Sequence, residues 1–476
     1  MADDALFHKV ADVLQRCLPG FQQLDAVDRL SGGASQETYR IHASTSEGAR
    51  LLAMRRAPGG LVAEEHVIGH PGLAAEALMM RSARAAGVPE PEVLHVLTLD
   101  DGLGDGFIMS WIEGEALGAR IARSPDFAEL RTHLAYDCGR ILAQIHAIDL
   151  QSTGLARALD EITPEQFLRQ TWDRYVAFET PQPMIDYAGR WLMANLPESP
   201  RVALVHNDFR NGNFMVSPNE VVAVLDWEVA HIGDPMRDLG WICTNSWRFG
   251  VTDLPVGGFG HYEDLYRGYE EESGSSVDPA HVRFWEVFGS FWWAVGCLGM
   301  AEHYRTGPDQ TVERPAIGRR TSECQVDCVN LLIPGKTELV EPQATDNGID
   351  MPTLDELLGS VRDFLHADVM QATSGRLNFM ARVAGNSLDI VRREVRSTAQ
   401  LRAQELQRLR VLLGSEGTLP ELRWQLVYAL RNNSRSLSES ALVDYLRFAV
   451  VNQVAIDQPK YSGYQTALKN AGLQEY

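Results

Sequence analysis

Positive charge is in short supply. The 476-residue chain carries 43 Lys+Arg against 64 Asp+Glu, a formal net charge of −21. It therefore has no global field to draw nucleic acid or an anionic membrane surface, and an anionic substrate would have to be met by a local basic pocket. Cysteine is sparse too. The six residues at positions 17, 138, 243, 297, 324 and 328 lack the spacing of a disulfide framework, which fits a reducing, cytoplasmic setting. Cys324 and Cys328 have three residues between them rather than two, and no second Cys or His pair follows to complete a zinc site. Long apolar runs are also missing. The most apolar stretch, Val287 to Ala301 with Phe291-Trp292-Trp293, is too short for a bilayer, has Glu286 and Glu302 at its flanks, and reads as a buried helix. The opening Met-Ala-Asp-Asp-Ala-Leu-Phe lacks the basic and apolar regions of a signal peptide. What remains, 45% hydrophobic and 22% charged residues with 40 Gly and 22 Pro, is ordinary globular composition at a length that implies two to three domains.

The clearest break is Pro334 to Pro352, rich in Pro, Gly and polar residues and without periodicity. After Met351 there are 15 Lys+Arg and 13 Asp+Glu, leaving 28 basic against 51 acidic residues before it, so the acidity belongs to the N-terminal unit. The C-terminal unit opens on a capping box, Thr353-Leu-Asp-Glu356. Leu354, Leu357, Leu358, Val361, Phe364 and Leu365 then recur at three and four, and similar patterns over 377–395, 401–413, 422–430 and 442–454 read as an all-helical bundle. Arg392-Arg393 and Arg408/Arg410 fit solvated helix faces, or cations for a substrate anion. The N-terminal unit instead starts with strand patterns over 27–30, 38–41 and 51–56, a helix from Leu73 to Ala86 ended by Gly87-Val-Pro89, and strands near 93–97 and 107–111. From Phe127 to Ile148 the period is helical again.

The densest polar signal is Leu204-Val-His-Asn-Asp-Phe-Arg-Asn-Gly-Asn-Phe-Met-Val216, in which an Asp stands five residues before an Asn between two apolar strands. The next strand delivers Asp226-Trp-Glu228. Asp208, Asn213 and Asp226, presented from adjacent strand ends, can place one carboxylate on a substrate hydroxyl and two oxygen ligands on Mg²⁺. The same residues could also simply bond loop backbone, as Asp and Asn often do in turns.

At these residues the chain resembles the aminoglycoside phosphotransferase/choline kinase-like family, which shares the protein-kinase fold. His206-Asn-Asp208 with Asn213 keeps the His, Asp and Asn of the kinase catalytic loop at their spacing. The resemblance implies that Asp208 is the catalytic base, that Asn213 and Asp226 hold Mg²⁺, and that Arg210 contacts the transferred phosphate. Upstream, Ser31-Gly32-Gly33-Ala34-Ser35 would cover the ATP phosphates, where glycine lets backbone N–H groups approach oxygen. Arg55 stands where protein kinases carry Lys, with Glu76 as its ion-pair partner; otherwise the two are surface charges. Met109, Ser110 and Ile112 would form the adenine-binding hinge, and Glu228 could reach the metal through water. Asp238 in His231-Ile-Gly-Asp-Pro-Met-Arg-Asp238 would brace the catalytic loop through its backbone N–H groups, while Asp234 suits a helix cap.

The implied fold is α+β: a bilobal protein-kinase-like unit with a small antiparallel-sheet N-lobe over 1–112 and a mostly helical C-lobe over 113–335. A linker over 336–352 and an all-α accessory domain over 353–476 follow. Val-Leu-Asp-Trp-Glu with Gly-Asp-Pro looks closest to the branch related to kinase-like parts of acyl-CoA dehydrogenase fusions and to bacterial 4-hydroxyacyl-CoA kinases. The C-terminal stretch resembles a small helical family found beside such kinases. The expectation is thus a cytoplasmic, ATP- and Mg²⁺-dependent kinase of a small-molecule hydroxyl, with a hydroxyacyl-CoA or hydroxy acid as acceptor, no nucleic-acid or membrane partner, and a homodimer left open. The alternatives are an aminoglycoside or choline-like amino-alcohol kinase and a non-catalytic pseudokinase scaffold.

Overall fold

The computed structural model describes residues 2–30, 36–62, 67–198, 201–342 and 349–470. Five antiparallel strands form the N-terminal sheet: β1 Phe21–Arg29, β2 Glu37–Thr45, β3 Gly48–Arg56, β4 Val93–Val96 and β5 Gly106–Ser110, in the order β1-β2-β3-β5-β4. Strict alternation along β2 puts Tyr39, Ile41 and Ala43 inside and polar neighbours outside, as a one-faced strand requires. The first three strands run well past their sequence signals, and β2 and β3 meet in a tight hairpin at Thr45 and Gly48.

Helix α1, Ala2–Cys17, covers one face of this sheet, with Val10, Val13 and Leu14 packed on Ile41, Met54 and Ile108. Val10, Val13 and Leu14 recur at helical spacing, the local signal for this helix. Helix α2, Leu73–Ala85, buries Ala77, Met79 and Met80 in the core that Phe107 joins.

The next region is mostly helical. Helix α3, Leu134–His146, lies against α7, Tyr262–Ser273, at a separation that tolerates no side chain at two points. A Cβ on Gly139 would sit 2.1 Å from the Leu265 carbonyl oxygen, and one on Gly268 would sit 2.1 Å from that of Tyr136. Between them in sequence come α4, Pro164–Ala177, α5, Pro183–Ala194, and α6, Met236–Cys243; the short pairs β6/β9, Ala203–Val205 with His231–Gly233, and β7/β8, Phe214–Val216 with Val221–Val224, frame the polar loops. Helix α8, Pro279–Thr306, contains the aromatic run read as buried, starts on the Asp278 cap, and is followed by α9, Thr321–Leu332.

Beyond the break lie α10, Leu354–Phe364, α11, Gly375–Leu413, α12, Leu419–Arg431, α13, Ser440–Asp457, and α14, Ser462–Asn470. The Thr353/Glu356 capping box forms as expected. Two other expectations need correction. The patterns over 377–395 and 401–413 are one 39-residue helix, because Arg396-Ser-Thr-Ala-Gln400 contains no Gly or Pro to break it. The apolar stripe of α10 does not enter the core, since Leu354, Leu357, Val361 and Phe364 stay 51–56% exposed.

One apolar cluster runs through α5, α8 and α9 and on into α11, α12 and α13, joining Ile185, Phe288 and Val326 to Leu409, Leu426 and Leu446. Polar ties reinforce it: Arg431 Nε to Asp186 at 2.6 Å, and Tyr187 hydroxyl donating to the Leu437 carbonyl at 3.0 Å. The start of the interdomain break is pinned as well, with Val340 N–H donating to Asn452 Oδ1 and Asn452 Nδ2 to the Glu338 carbonyl, both at 2.8 Å.

Candidate active site

The loop between β6 and β7 is built on buried polar groups, most of them partnered within the chain. Asp238, fully buried near the start of α6, accepts from the backbone N–H groups of His206 (2.8 Å) and Asn207 (2.7 Å) and lies 3.0 Å from His146 Nε2. Burial pushes its carboxyl up, but the His146 contact and these N–H groups hold it below the usual carboxylate range. Asn207 sits at φ +67°, a strained angle for a non-glycine residue, and is held there at three points. Besides its N–H bond, its Nδ2 donates to the Val229 carbonyl at 3.1 Å and its Oδ1 accepts from Arg237 Nε at 2.9 Å.

Arg237 is fully buried among Phe167, Trp241, Trp285, Phe288 and Trp292, with its guanidinium carbon 4.5 Å from the Trp241 ring centroid. Its two terminal nitrogens have no hydrogen-bond partner among the described residues, so aromatic faces do what anions usually do for a cation. Burial lowers its pKa to about 9.

Asp208 follows directly. Its carboxylate accepts from Asn213 Nδ2 at 2.5 Å, Trp241 Nε1 at 2.7 Å and Arg210 Nε at 3.0 Å. Its N–H donates to His206 Nδ1 at 3.3 Å, and His206 Nε2 lies 3.1 Å from the Leu225 carbonyl. One neutral tautomer, protonated on Nε2, satisfies both contacts, and burial favours it by lowering the His206 pKa. Leu225 N–H donates to the Asn213 carbonyl at 2.7 Å, which brings Asp226 beside Asn213. Asp226, too, has positive φ, +71°.

From the sheet side, Arg55 reaches the same place. Its Nη1 is 3.0 Å from Glu76 Oε1, and its Nη2 is 2.6 Å from Asp226 Oδ1 and 3.5 Å from Glu228 Oε2. Gln36 takes its Nε. Glu76 is almost wholly buried, and burial raises its pKa to about 7 against the pull of Arg55. Arg55 and Glu76 are therefore a buried pair rather than two surface charges.

The structure thus brings Asp208, Arg210, Asn213, Asp226, Arg55 and Glu76 into one connected cluster. Gly32, Gly33, Ala34 and Ser35 lie outside the described residues. At the hinge, Ser110 N–H donates to the Glu92 carbonyl at 2.9 Å and Trp111 N–H to the Leu51 carbonyl at 3.2 Å, while Met109 is held in the β5 ladder. Ile112 has no backbone partner among the described residues. Asp234 accepts from Met236 N–H at 3.0 Å as an N-terminal cap of α6 and from Trp285 Nε1 at 2.8 Å. Sequence reasoning did not single out Trp241, Trp247, Arg237 or His146 for this site. Trp247, whose ring lies 4.1 Å from the Arg210 guanidinium, comes from a short turn with no motif. Trp241 and Arg237 carry no signal beyond standing within three residues of Asp238. Arg392, Arg393, Arg408 and Arg410 do not join this cluster: Arg392 and Arg393 are tied to Asp355 and the Ile456 carbonyl, while Arg408 and Arg410 stay on a partly solvated face, paired with the exposed Glu338 and Glu416.

The chain belongs to the phosphotransferase enzyme family (APH), whose family model matches residues 26–274. Residues 371–461 match a second family, described as a domain of unknown function, DUF6285. Similar curated proteins include acyl-CoA dehydrogenase family member 11 of Gallus gallus, 33% identical over 322 residues that span 62% of this chain and 39% of that protein. Acyl-CoA dehydrogenase family member 10 of Mus musculus is 33% identical over 220 residues, 44% of this chain and 19% of that protein. The matches therefore span well under half the length of these relatives. A crystal structure of an aminoglycoside phosphotransferase-type protein from Ralstonia eutropha shares the fold, with a TM-score of 0.55, 21% identity, and 68% of this chain covered against 97% of that one. Among the described residues, no helix is long and apolar enough to cross a membrane.

Proposed function

We propose that the protein transfers the γ-phosphoryl group of ATP to a hydroxyl of a small molecule, and that the acceptor is a hydroxyacyl-CoA or a related hydroxy acid. The observation that carries this reading is the Asp208 carboxylate, fixed by donors from Asn213, Trp241 and Arg210 beside the Arg55–Asp226 pair. A carboxylate held at three points is positioned to accept the proton of an incoming hydroxyl, and positioning with electrostatics is most of what phosphoryl transfer asks of a protein.

The donor set fits Mg²⁺, which takes hard oxygen ligands. Asn213 spends its Nδ2 on Asp208, so its Oδ1 is the atom for a cation, and Asp226 offers a carboxylate beside it. Bound there with ATP, the ion would neutralise charge on the β- and γ-phosphates. Arg55, always protonated and backed by Glu76, would meet phosphate oxygens in forked geometry. Arg210, stacked on Trp247, would add positive charge at the transferred group. Strand β5 ends at a hinge whose Ile112 backbone would bond adenine. For the acceptor, support comes from the acyl-CoA dehydrogenase relatives.

The test is acceptor-dependent ADP release by purified protein with hydroxyacyl-CoAs, free hydroxy acids and aminoglycosides. The expected result is turnover with hydroxyacyl-CoAs or hydroxy acids that Asp208→Asn abolishes. Turnover with aminoglycosides alone would overturn the acceptor class, and ATP binding without turnover on any acceptor would favour a scaffold.

A further inference from the structure

A cavity of about 530 Å³ lies where α5, α8, α9 and the short helix Glu313–Arg319 face α11, α12 and α13. Its volume falls within the roughly 300–1,000 Å³ typical of small-molecule sites, and such sites favour the seam between structural units. No residue of the 204–216 loop, nor Arg55 or Asp226, lines it. It is a place apart from the phosphoryl-transfer machinery, and its reading does not rest on the activity proposed above.

The lining has two characters. Met184, Leu298, Leu446, Ala449 and Val450 make an apolar wall from both sides of the seam. Four arginines also line it, Arg305 and Arg319 from one side and Arg402 and Arg423 from the other, against one lining carboxylate, Asp457, among the described residues. Each is paired with an acid: Arg305 with Glu302, Arg319 with Glu394 and Asp457, and Arg402 and Arg423 with Glu405.

The arginines are prepared rather than free. Glu405, fully buried and outside the lining, accepts from Arg402 Nη1 at 2.8 Å, Arg423 Nε at 2.7 Å and the Tyr445 hydroxyl at 3.1 Å. Arg402 Nη2 is further held by Gln453 at 2.5 Å, and Arg319 Nε by Asp457 at 3.0 Å. A guanidinium carries five N–H donors. These contacts hold the two forks of Arg402 and Arg423 in place and leave donors on each for an outside anion, so little ordering remains to be done on binding.

We propose that this seam cavity binds an amphipathic anion, an aliphatic chain ending in a carboxylate or phosphate, with the chain on the Met184/Leu446/Val450 wall and the headgroup on Arg402 and Arg423. Because both sides of the seam supply the site, the ligand would hold the helical region against the kinase lobe.

Isothermal titration of the full-length protein with sodium decanoate, decyl phosphate and decanol tests this. The expected result is saturable 1:1 binding of at least one of the two anions, at least tenfold tighter than decanol, and the tighter of the two identifies the headgroup. Ala449→Phe and, across the seam, Ala301→Phe fill the cavity without touching the ion network. Each should weaken binding at least tenfold while circular dichroism and the melting temperature stay near wild type. Absence of saturable binding by either anion, or equal binding of decanol, would overturn the proposal in the wild-type protein alone, whatever the variants do. Undiminished binding in both folded phenylalanine variants would overturn it equally.

Discussion

The loop that carries Asp208 and the seam with the C-terminal helices are held together by opposite means. Around Asp208 the structure is polar and strained. Asp238 and Asn207 are buried with their hydrogen bonds accounted for, two non-glycine residues sit at positive φ, and an arginine is caged by aromatic rings. At the seam the union is an apolar cluster continuous from α5 and α8 to α12 and α13. In the loop an unusual backbone angle at Asn207 is fixed by specific hydrogen bonds, whereas the seam is held mainly by burial, which is additive and forgiving.

The largest effect expected from probing this contrast is on the polar side. Asp208→Asn should cut turnover by about 10²- to 10⁴-fold, the usual contribution of a positioned base, with Mg·ATP affinity little changed, because the amide keeps the shape and cannot take the proton. Steady-state kinetics beside nucleotide titration would show it, and near-wild-type turnover would remove Asp208 from the role of base.

Next comes the apolar side. Leu426 is fully buried in the shared cluster, so Leu426→Ala should cost about 2–5 kcal/mol by lost burial and cavity formation. Since the cluster belongs to both regions, the whole chain should unfold in one transition at a lower temperature. Calorimetry that showed a separate helical transition moving by itself would break the comparison.

A smaller loss is expected from Trp241→Phe, which deletes one of the donors on Asp208 and keeps the ring over Arg237. A hydrogen bond to a charged group contributes about 1.5–3 kcal/mol, so turnover should fall by about ten- to a hundredfold with the KM for ATP unchanged. A raised KM with full turnover would assign Trp241 to binding instead.

The smallest effect is on pH dependence. Burial raises the Glu76 pKa to about 7 from an ordinary value near 4.5. Folding therefore takes up a proton at this site. Its favourable contribution is fully present below about pH 4.5 and is lost as pH rises through 7, with a slope of at most about 1.4 kcal/mol per pH unit. Glu76→Gln should flatten this part of the stability curve between pH 5 and 8. A curve of unchanged slope would mean that Arg55 keeps Glu76 ionised throughout.

What could be read from the sequence follows the same division. His206, Asp208, Asn213 and Asp226 are close in the chain and act through fixed spacing, so their motif was readable, and Arg55 with Glu76 followed from the resemblance. Trp241, Trp247 and His146 reach the site only through tertiary packing, and nothing local marks them. Periodicity located the C-terminal helices but could not say which stripes find partners. Those of α12 and α13 do, whereas that of α10 faces solvent. A helical repeat shows that one face is apolar and leaves open what covers it.

The aromatic cage around Arg237 has an optical consequence. Three of the chain's 10 tryptophans, Trp241, Trp285 and Trp292, surround one cation whose Nε holds the strained Asn207. Trp241 also donates to Asp208 itself. Indole emission responds to a nearby charge and to the loss of such a bond, so the protein carries its own fluorescent reporter beside the Asp208 loop. Any rearrangement of that loop on nucleotide or acceptor binding would register in stopped flow without attaching a label.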